Sequence, residues 1–347
     1  MVKMTEVAKL AGVSPSTVSR VLSNSPYVSE ETRQRVLEAV KLLEYKPNRL
    51  ASNLRKMSSK TIVVVLPDIT NPFFARILQG LEDVARENGY HVLLGDTGNN
   101  LKLEKDFIDL VRERFVDGLI LATARIRKEE ILAISQEMPV VLACEYVEGY
   151  DIPTVSIDNI SAARQATEHL INLGHKRIGF ITGPLGVILS RDRLKGYRQA
   201  LLLHEIPIDE SLIQEGDFSV KSGYDIMMKF LAVNPPPTAV FASNDEMAVG
   251  AMKAIKHKGM RVPDDVAVIG FDDIPLCTLV EPELTTIAQP KYEIGTHAMD
   301  MLLKIIKKEE LVNKQIVLAH HLVVRESCGY NLFREGGEGE ENKITSM

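Results

Sequence analysis

Cysteine is scarce in this 347-residue chain, which contains only Cys144, Cys277 and Cys328. The three residues are far apart and lack the short spacings of a metal site. We therefore predict three free thiols in a reducing cytoplasm, with no disulfide framework. The eight histidines show no metal-binding pattern either, so the sequence predicts neither a metal nor a cofactor.

Long apolar runs and enzyme motifs are also absent. No run approaches the length of a membrane-spanning helix, and the N-terminus has no apolar signal segment, so we expect a cytoplasmic protein with no membrane partner. The chain has no Gly-x-Gly-x-x-Gly, no nucleophile elbow and no phosphate-binding loop, and no acid–base constellation stands out. These absences favour a binding protein over an enzyme.

The formal net charge of −6 is divided unevenly along the chain. Residues 1–60 contain six Lys and five Arg against five Glu, a net of +6, which leaves −12 for the remainder. A basic head on an acidic body is typical of a protein whose DNA phosphate contacts are confined to the head. An ordinary solvated basic surface would have the same net charge, so only the motifs in the head can distinguish it from a DNA-binding head.

Residues 4–22 have the pattern of a helix, a tight turn and a second helix. Thr5 is expected to N-cap the first helix, and Gly12 to supply the turn. Ser14 followed by Pro15 is a strong start for the second helix. The apolar side chains predicted to share one face of the first helix are Val7, Ala8 and Leu10.

The second helix has an apolar face and a polar face. The apolar positions are Val18, Val21 and Leu22. The polar positions are Ser16, Thr17, Ser19 and Arg20. Short hydroxyl side chains and one arginine, on a helix held by its neighbour, suit the major groove of DNA. The alternative is an ordinary helical hairpin with a polar face, which is a common pattern.

A third helix is predicted over residues 30–43, with Ser29 as its N-cap. With this helix the sequence resembles the lac repressor family of bacterial transcription regulators. The resemblance is carried by Val7-Ala8-x-x-Ala11-Gly12-Val13-Ser14-x-x-Thr17-Val18-Ser19-Arg20 and by Tyr45-x-Pro47-Asn48. It continues to about Ser327. The DNA-binding residues that the motif and the resemblance together indicate are Thr5, Ser14, Pro15, Ser16, Thr17, Ser19, Arg20, Asn24, Tyr45, Asn48, Arg49, Ala51, Leu54 and Arg55.

The resemblance also implies a short hinge helix from residue 48 to about residue 56. In the family, two such helices pair across a homodimer and enter the minor groove of a palindromic operator, where the residue aligned with Leu54 is a wedge between base pairs. A helix this short is marginal in water, so it would order only on DNA. The alternative is that Leu54 packs against the body. No leucine heptad lies near the C-terminus, so we expect a dimer.

From Thr61 onward, apolar and β-branched runs predicted as strands, among them residues 118–121, 140–143 and 239–242, alternate with amphipathic segments. This pattern predicts parallel sheets covered by helices on both faces, in two doubly wound α/β subdomains that resemble periplasmic binding proteins. With the crossings that the resemblance implies, the domains are 1–47 (helix-turn-helix headpiece), 48–60 (hinge and linker), 61–160 with 291–321 (first subdomain), 161–290 with 322–333 (second subdomain) and 334–347 (disordered tail).

Ligands in such folds bind at the carboxyl ends of the strands, in a cleft between subdomains. Phe73 and Phe74 lie in one strand-end loop and could stack on a ring, while Phe218 could cover its second face. Asn244 lies in another such loop, where Asp245 is interpreted as a helix cap.

The resemblance aligns Arg193 with a family arginine that grips vicinal hydroxyls, and Asp272 with the acidic residue opposite. A planar donor fork and a carboxylate suit a diol such as ribose, although a structural ion pair is the alternative. The predicted effector-binding residues are Phe73, Phe74, Val187, Leu189, Arg193, Phe218, Asn244 and Asp272.

Within the family the resemblance is to the cytidine repressor branch, through residues 151–159, 174–179 and 284–290. Where the purine repressor reads its base with an arginine and a threonine, this chain has Val187 and Leu189. We therefore expect a nucleoside or pentose effector and not a nucleobase. The alternatives are a different sugar, or a phosphoprotein corepressor as in the catabolite control branch, whose paired arginines are missing from residues 292–299.

Overall fold

The computed structural model describes residues 2–23, 25–45, 59–112, 116–123 and 125–330. The chain divides into two compact units, Met1–Ser59 and Lys60–Met347. In the described part, no helix is both long and apolar enough to cross a membrane. The predictions that lie outside the described residues concern Asn24, Asn48, Arg49, Ala51, Leu54, Arg55 and the tail 334–347.

Within residues 2–23 and 25–45, the first unit contains three helices, α1 (Met4–Ala11), α2 (Pro15–Leu22) and α3 (Glu30–Leu42). Gly12, with a φ of 65°, makes the left-handed turn after α1, a conformation that costs glycine little. The predicted N-caps of α2 and α3 are confirmed, because Ser14 accepts from the backbone N–H of Thr17 and Ser29 from that of Thr32.

Two details of α1 were predicted wrongly. The N-cap is Lys3 and not Thr5, since the side chain of Glu6 accepts from the Lys3 backbone N–H and begins the helix earlier. Leu10 is 53% exposed, and Ala11 takes its place in the core. At about 100° per residue, Ala11 lies between Val7 and the next buried position, whereas Leu10 lies outside that arc.

The second unit is built on two six-stranded sheets. The first, in the order β11-β5-β4-β3-β1-β2, is parallel throughout. The second, in the order β12-β10-β9-β8-β6-β7, is parallel except for the antiparallel pair β10–β12. The strands are β1 (Thr61–Leu66), β2 (His91–Asp96), β3 (Gly118–Leu121), β4 (Val140–Ala143), β5 (Thr154–Ile157), β6 (Ile178–Thr182), β7 (Ile213–Glu215), β8 (Ala239–Ala242), β9 (Ala267–Asp272), β10 (Thr285–Ala288), β11 (Gln315–Leu318) and β12 (His321–Val323).

We call the first sheet with its helices the first lobe, and the second sheet with its helices the second lobe. The helices are α4 (Pro72–Glu87), α5 (Leu101–Arg112), α6 (Lys128–Glu137), α7 (Asn159–Asn172), α8 (Ile188–Leu203), α9 (Val220–Phe230), α10 (Asp245–His257) and α11 (Lys291–Ile306). The chain passes between the sheets after β5, after β10 and after β11. His321 begins β12 and pairs with Ala288 in the second sheet, one residue before the predicted boundary of the second subdomain.

Glycine sets the distance between α4 and α11 in the first lobe. A Cβ on Gly295 would fall well inside van der Waals contact with the carbonyl oxygen of Ile77, and a Cβ on Gly80 with that of Tyr292. The two helix backbones therefore pack directly on each other, so an added methyl group can only be accommodated by moving a helix.

Gly295→Ala is expected to lower the free energy of unfolding by about 2–3 kcal/mol, because the methyl group meets backbone and not a flexible side chain. The measurement is urea denaturation followed by circular dichroism. Gly186→Ala is the matched control, since a Cβ at Gly186 has nothing within 4 Å. Equal denaturation midpoints for the two variants would contradict the proposed close packing.

Candidate functional site

The outer face of α2 is the candidate DNA-binding surface. Val18 and Val21 are buried in the core of the first unit, while Ser16 and Arg20 are exposed on the other side. The hydroxyl of Ser14 lies 2.7 Å from that of Ser16 and 2.9 Å from that of Thr17. A helix N-terminus that presents hydroxyl groups, followed by an exposed arginine, can contact both phosphate oxygens and base edges.

The other predicted contacts in the first unit differ in exposure. Thr5 and Pro15 are exposed and Ser19 is half-buried. Tyr45 is only 7% exposed and packs in the core with Val36 and Ala39. The ring of Tyr45 therefore closes the three-helix core, and a contact between Tyr45 and DNA stays a prediction.

A cavity of about 400 Å³ lies between the two lobes, at the carboxyl ends of the parallel strands. This volume is within the usual range for small-molecule sites. All eight predicted effector-binding residues line it: Phe73, Phe74, Val187, Leu189, Arg193, Phe218, Asn244 and Asp272. They meet because the strand-end loops of both sheets open toward the same space.

Arg193 is the buried cation of the cavity. It is 4% exposed, its Nε donates to Asn159 Oδ1 at 2.9 Å, and one terminal nitrogen donates to the backbone carbonyl of Ser243. Its guanidinium carbon lies 3.7 Å from the centroid of the Phe271 ring. Its other terminal nitrogen is 3.9 Å from Asp272 Oδ1, too far for a direct hydrogen bond. The fork is thus held rigidly, with one nitrogen left for a ligand.

Asp272 ends β9 with a φ of 116°, a conformation that L-residues rarely adopt. Its Oδ1 accepts from the side-chain amide of Gln289 at 2.7 Å, and Lys291 donates to its backbone carbonyl. Burial raises the pKa of Asp272 to about 6, while the charges of Arg193 and Lys291 act in the opposite direction. Strained backbone of this kind is typical of functional sites.

Asn244, and not Asp245, is the N-cap of α10, which corrects the sequence prediction. The side-chain Oδ1 of Asn244 accepts from the backbone N–H of Met247, and the side-chain Nδ2 donates to the backbone carbonyl of Phe218, both at 2.9 Å. Asp245 is fully buried behind the cavity, where it accepts from the Ile274 backbone N–H and the Thr286 hydroxyl. Asn244 therefore holds the loop of Phe218 in place.

Burial, followed by the charge of Asp272, raises the pKa of Asp245 to about 7. An unfolded carboxyl group titrates near pH ~4, so between about pH 4 and about pH 7 the folded state holds more protons than the unfolded state. This carboxyl therefore contributes stability that is present at the acid end of the window and lost as the pH rises through it.

The sign can be tested with Asp245→Asn, which keeps an acceptor for the Ile274 N–H but cannot ionise. We expect the wild-type free energy of unfolding to fall more between about pH 5 and about pH 7.5 than that of the variant, as measured by urea denaturation. Asp300→Asn, at an exposed position in α11, is the control. Equal slopes for wild type and Asp245→Asn would contradict the raised pKa.

The aromatic and apolar walls come from both lobes. Phe73 is 6% exposed and packs edge-on against the half-buried Phe74, with ring centroids 5.1 Å apart. Phe218 has a φ of 71°, and its ring lies directly on Gly183, where no side chain would fit. Phe74 and Phe218 are therefore better placed than Phe73 to contact a ligand ring, because most of the Phe73 surface is already covered.

Two polar contacts join the lobes beside the cavity. The Tyr146 hydroxyl, after β4, donates to Asp192 in α8 at 3.0 Å. Lys291, the first residue of α11, donates to the backbone carbonyls that follow β9, including that of Asp273 at 2.9 Å. The relative position of the lobes is thus tied to the strand end that carries Asp272.

Several lining residues were missed from the sequence. They are Asp68, Asn71, Asn99, Arg125, Cys144, Glu145, Asn159, Asp217, Ser219, Glu246 and Gln289, together with Pro67, Ala122 and Pro184. Their shared signal is position, since nearly all follow the end of a strand. The prediction selected aromatic and apolar side chains, one arginine–carboxylate pair and Asn244, and it did not select the other carboxylates and amides.

Cys144, Cys277 and Cys328 are free and buried. Across the described ranges, no group of three or more His, Cys, Asp or Glu side chains is arranged to hold a metal ion.

Comparison with known proteins identifies the family. Residues 3–48 match the family described as "Bacterial regulatory proteins, lacI family", and residues 59–326 match "Periplasmic binding proteins and sugar binding domain of LacI family". The HTH-type transcriptional repressor CytR of Escherichia coli (strain K12) is 41% identical over 325 residues, which cover 93% of this chain and 95% of the relative. The ribose operon repressor of Halalkalibacterium halodurans is 37% identical over 342 residues, covering 99% and 100%.

The solved structures agree. The lac repressor dimer bound to operator and the anti-inducer ONPF matches with a TM-score of 0.85 and 30% identity, over 94% of this chain and 99% of that one. The complex of the transcriptional regulator CelR with cellobiose matches with a TM-score of 0.73 and 34% identity, over 94% and 100%. The chain belongs to the LacI family and is a DNA-binding transcriptional repressor, as its relatives are, and those relatives are not enzymes.

Proposed function

We propose that this LacI-family repressor acts in the cytoplasm as a homodimer, and that an uncharged nucleoside such as cytidine, or a pentose, controls its affinity for a palindromic operator. The observation that carries the proposal is the pairing of Arg193 with Asp272 across a 3.9 Å gap inside the cavity. The resemblance of residues 151–159, 174–179 and 284–290 to the cytidine repressor branch supports the nucleoside assignment.

A vicinal diol satisfies this pair better than the two residues satisfy each other. One hydroxyl can accept from the free nitrogen of Arg193 while the diol donates to Asp272, since a carboxylate only accepts and a guanidinium only donates. The buried setting makes both charge-assisted hydrogen bonds stronger than they would be in water. Ribose, alone or in a nucleoside, presents such a diol.

The rest of the cavity suits a flat ring. Phe74 and Phe218 are half-buried at its edge, and Val187 and Leu189 add apolar surface at the start of α8. Aromatic faces and aliphatic side chains favour stacking of a base over binding of a second polar sugar.

Exposed leucines on an edge strand support the dimer. β2 is an outer strand of the first sheet, and Leu93 and Leu94, on opposite faces of it, are 52% and 46% exposed. Apolar edge strands are aggregation-prone unless they are covered. A second copy of the chain is the cover that we propose. Two headpieces would then read the two halves of a palindrome.

Control of DNA binding requires that the ligand bind one arrangement of the lobes more tightly than another. The contacts of Lys291 and Tyr146 that join the lobes beside the cavity are where that difference would arise. In this proposal the ligand changes the geometry of the lobes, and the hinge residues 48–60 transmit the change to the headpieces.

A thermal-shift screen of the full chain tests the effector. The ligands are cytidine, uridine, adenosine, ribose, hypoxanthine and several hexoses, and a ligand at 100 times its Kd adds roughly 2.7 kcal/mol of stability. A shift with a nucleoside or ribose is the expected result. A shift with a hexose alone, or no shift with any ligand of the panel, would contradict the nucleoside and pentose assignment and leave the family assignment intact.

A further inference from the structure

The cavity carries more negative than positive charge. Its ionisable lining consists of five carboxylates and two guanidiniums, namely Asp68, Glu145, Asp217, Glu246 and Asp272 with Arg125 and Arg193. When all are ionised, the formal net charge of the lining is −3. The proposed binding of a diol and a ring makes use of Asp272 and Arg193 and leaves this excess unexplained.

Two of the carboxylates approach the cavity from opposite lobes. Asp68 follows β1 in the first lobe, and Glu246 lies in the first turn of α10 in the second lobe. Burial, and then the charges of Asp68 and Asp272, raise the pKa of Glu246. Within the described part of the chain, the carboxylate of Glu246 has neither a hydrogen bond nor an ion pair, whereas Asp68 accepts from the backbone N–H and hydroxyl of Thr70.

Both cations are already included in the formal net charge of −3, and protein groups engage each of them in part. Arg193 is held by Asn159 and by the carbonyl of Ser243, and is partly balanced by Asp272. Arg125 donates to the carbonyl of Asn99 at 3.4 Å, and its charge acts on the buried carboxyl of Glu104.

The N-terminus of α10, beside the cavity, is also unfavourable for an anion. A helix N-terminus ordinarily attracts phosphate through its free N–H groups and its dipole. The first turn of α10 contains Asp245 and Glu246, and the side chain of Asn244 already caps it. The carboxylate of Glu246 therefore stands where a phosphate would otherwise be stabilised, while Asp245 is buried behind the cavity.

We infer that the cavity selects the unphosphorylated form of its ligand, and that Asp68 and Glu246 reject the phosphate ester. The inference rests on the proposed function, because it presumes a nucleoside or pentose in this cavity. A phosphate monoester carries close to two negative charges at neutral pH, and it would face the half-buried carboxylates of Asp68 and Glu246 at close range. A nucleoside or sugar kinase would then consume the ligand as a signal, and a phosphatase or a glycoside-cleaving reaction would supply or alter it.

The test is calorimetric binding by the full chain to two matched pairs, cytidine with cytidine 5′-monophosphate and ribose with ribose 5-phosphate. For the wild type we expect the ester to bind ~100-fold more weakly than its parent, or worse. In the double variant Asp68→Asn/Glu246→Gln, the ratio of the Kd of the ester to the Kd of its parent should decrease by ~10-fold. The ester should bind more tightly, and the affinity for the parent should change little.

Glu82→Gln is the matched control, because Glu82 is an exposed carboxylate of α4 outside the cavity lining. It should keep the wild-type ratio. If the double variant fails to fold, Glu246→Gln alone carries the test, since that carboxylate has no hydrogen bond to lose within the described residues.

The outcomes separate this inference from the proposed function. Wild-type binding of the ester as tightly as the parent overturns the inference and leaves the proposed ligand class intact. An unchanged ratio in the variants overturns the roles of Asp68 and Glu246. If some other parent sugar binds while nucleosides and ribose do not, the proposed ligand is wrong, and that sugar with its phosphate ester decides the inference. If no parent or ester binds, both are overturned.

Discussion

Arg193→Ala is expected to abolish the ligand-induced thermal shift of this repressor and to weaken binding of cytidine or ribose by ~100-fold or more, since it removes a charge-assisted donor from a buried site. The substitution also leaves Asn159 Oδ1 and the carbonyl of Ser243 without their donor. It deprives the buried Asp272 of the cation whose charge most lowers the pKa of its carboxyl, so that pKa rises further. Breaking a buried pair of this kind costs about 3–5 kcal/mol of stability.

Arg193→Lys separates binding from stability. Lysine keeps the charge near Asp272 but cannot supply a planar fork to Asn159, Ser243 and a diol together. We expect this variant to recover part of the stability and little of the binding. The measurements are calorimetry for the ligand and urea denaturation for the free energy of unfolding.

Arg191→Ala is the matched control for both variants. Arg191 is an exposed neighbour in α8, and among the described residues its side chain donates to the carbonyls of Leu185 and Gly186 alone. It should bind ligand as the wild type does. At a temperature where the Arg193→Ala variant is folded, the operator affinity of this variant should equal that of the wild type. Loss of operator affinity in Arg193→Ala would point to a structural role for Arg193.

Arg20→Ala is expected to produce the largest loss of operator binding on the described surface of α2. Arg20 is exposed, and the buried Val18 and Val21 fix the helix face from which it projects. One good arginine–base pair discriminates by about 1–3 kcal/mol, and a dimer loses two of them, so specific binding should weaken by about 2–6 kcal/mol. Binding to random DNA should fall far less, because it depends on phosphate charge alone.

The measurement is fluorescence anisotropy with an operator selected from random DNA by the wild-type protein, beside a scrambled duplex at the same salt concentration. Arg35→Ala is the control, since Arg35 is an exposed cation of α3 outside the α2 face. This variant should weaken binding to both duplexes equally and slightly. An equal loss on both duplexes for Arg20→Ala would show that Arg20 contacts only phosphate.

Local patterns in the sequence predicted most of the framework. The strands at 118–121, 140–143 and 239–242 begin and end at the predicted residues. Each is a short apolar run whose neighbours cannot continue a buried strand, so its ends are determined locally. The caps Ser14 and Ser29 were predicted for the same reason, because a capping side chain bonds to a backbone only three residues away.

The same locality explains which parts of the site could be found. Phe74, Phe218, Arg193 and Asp272 follow strand ends or lie in the helices after them, and parallel sheets place all such positions at one edge. A short list of candidates could therefore be drawn up without knowing any distance between them. The resemblance to a family supplied the choice of Arg193 and Asp272 from that list.

Tertiary structure alone decided what each side chain meets. Asp245 and Asn244 are adjacent and both can cap a helix, yet the fold buries Asp245 against Thr286 and leaves the cap to Asn244. Tyr45 closes a core made by residues far from it in sequence. Asp68 and Glu246 face each other because two lobes meet across a cleft, and no periodicity within one lobe encodes the distance between the lobes.

The sequence by itself determined the helices and strands, their order and the basic head, because these depend on residues that are close along the chain. The charge and shape of the cavity were decided only by the tertiary structure, because they depend on residues brought together from both sheets.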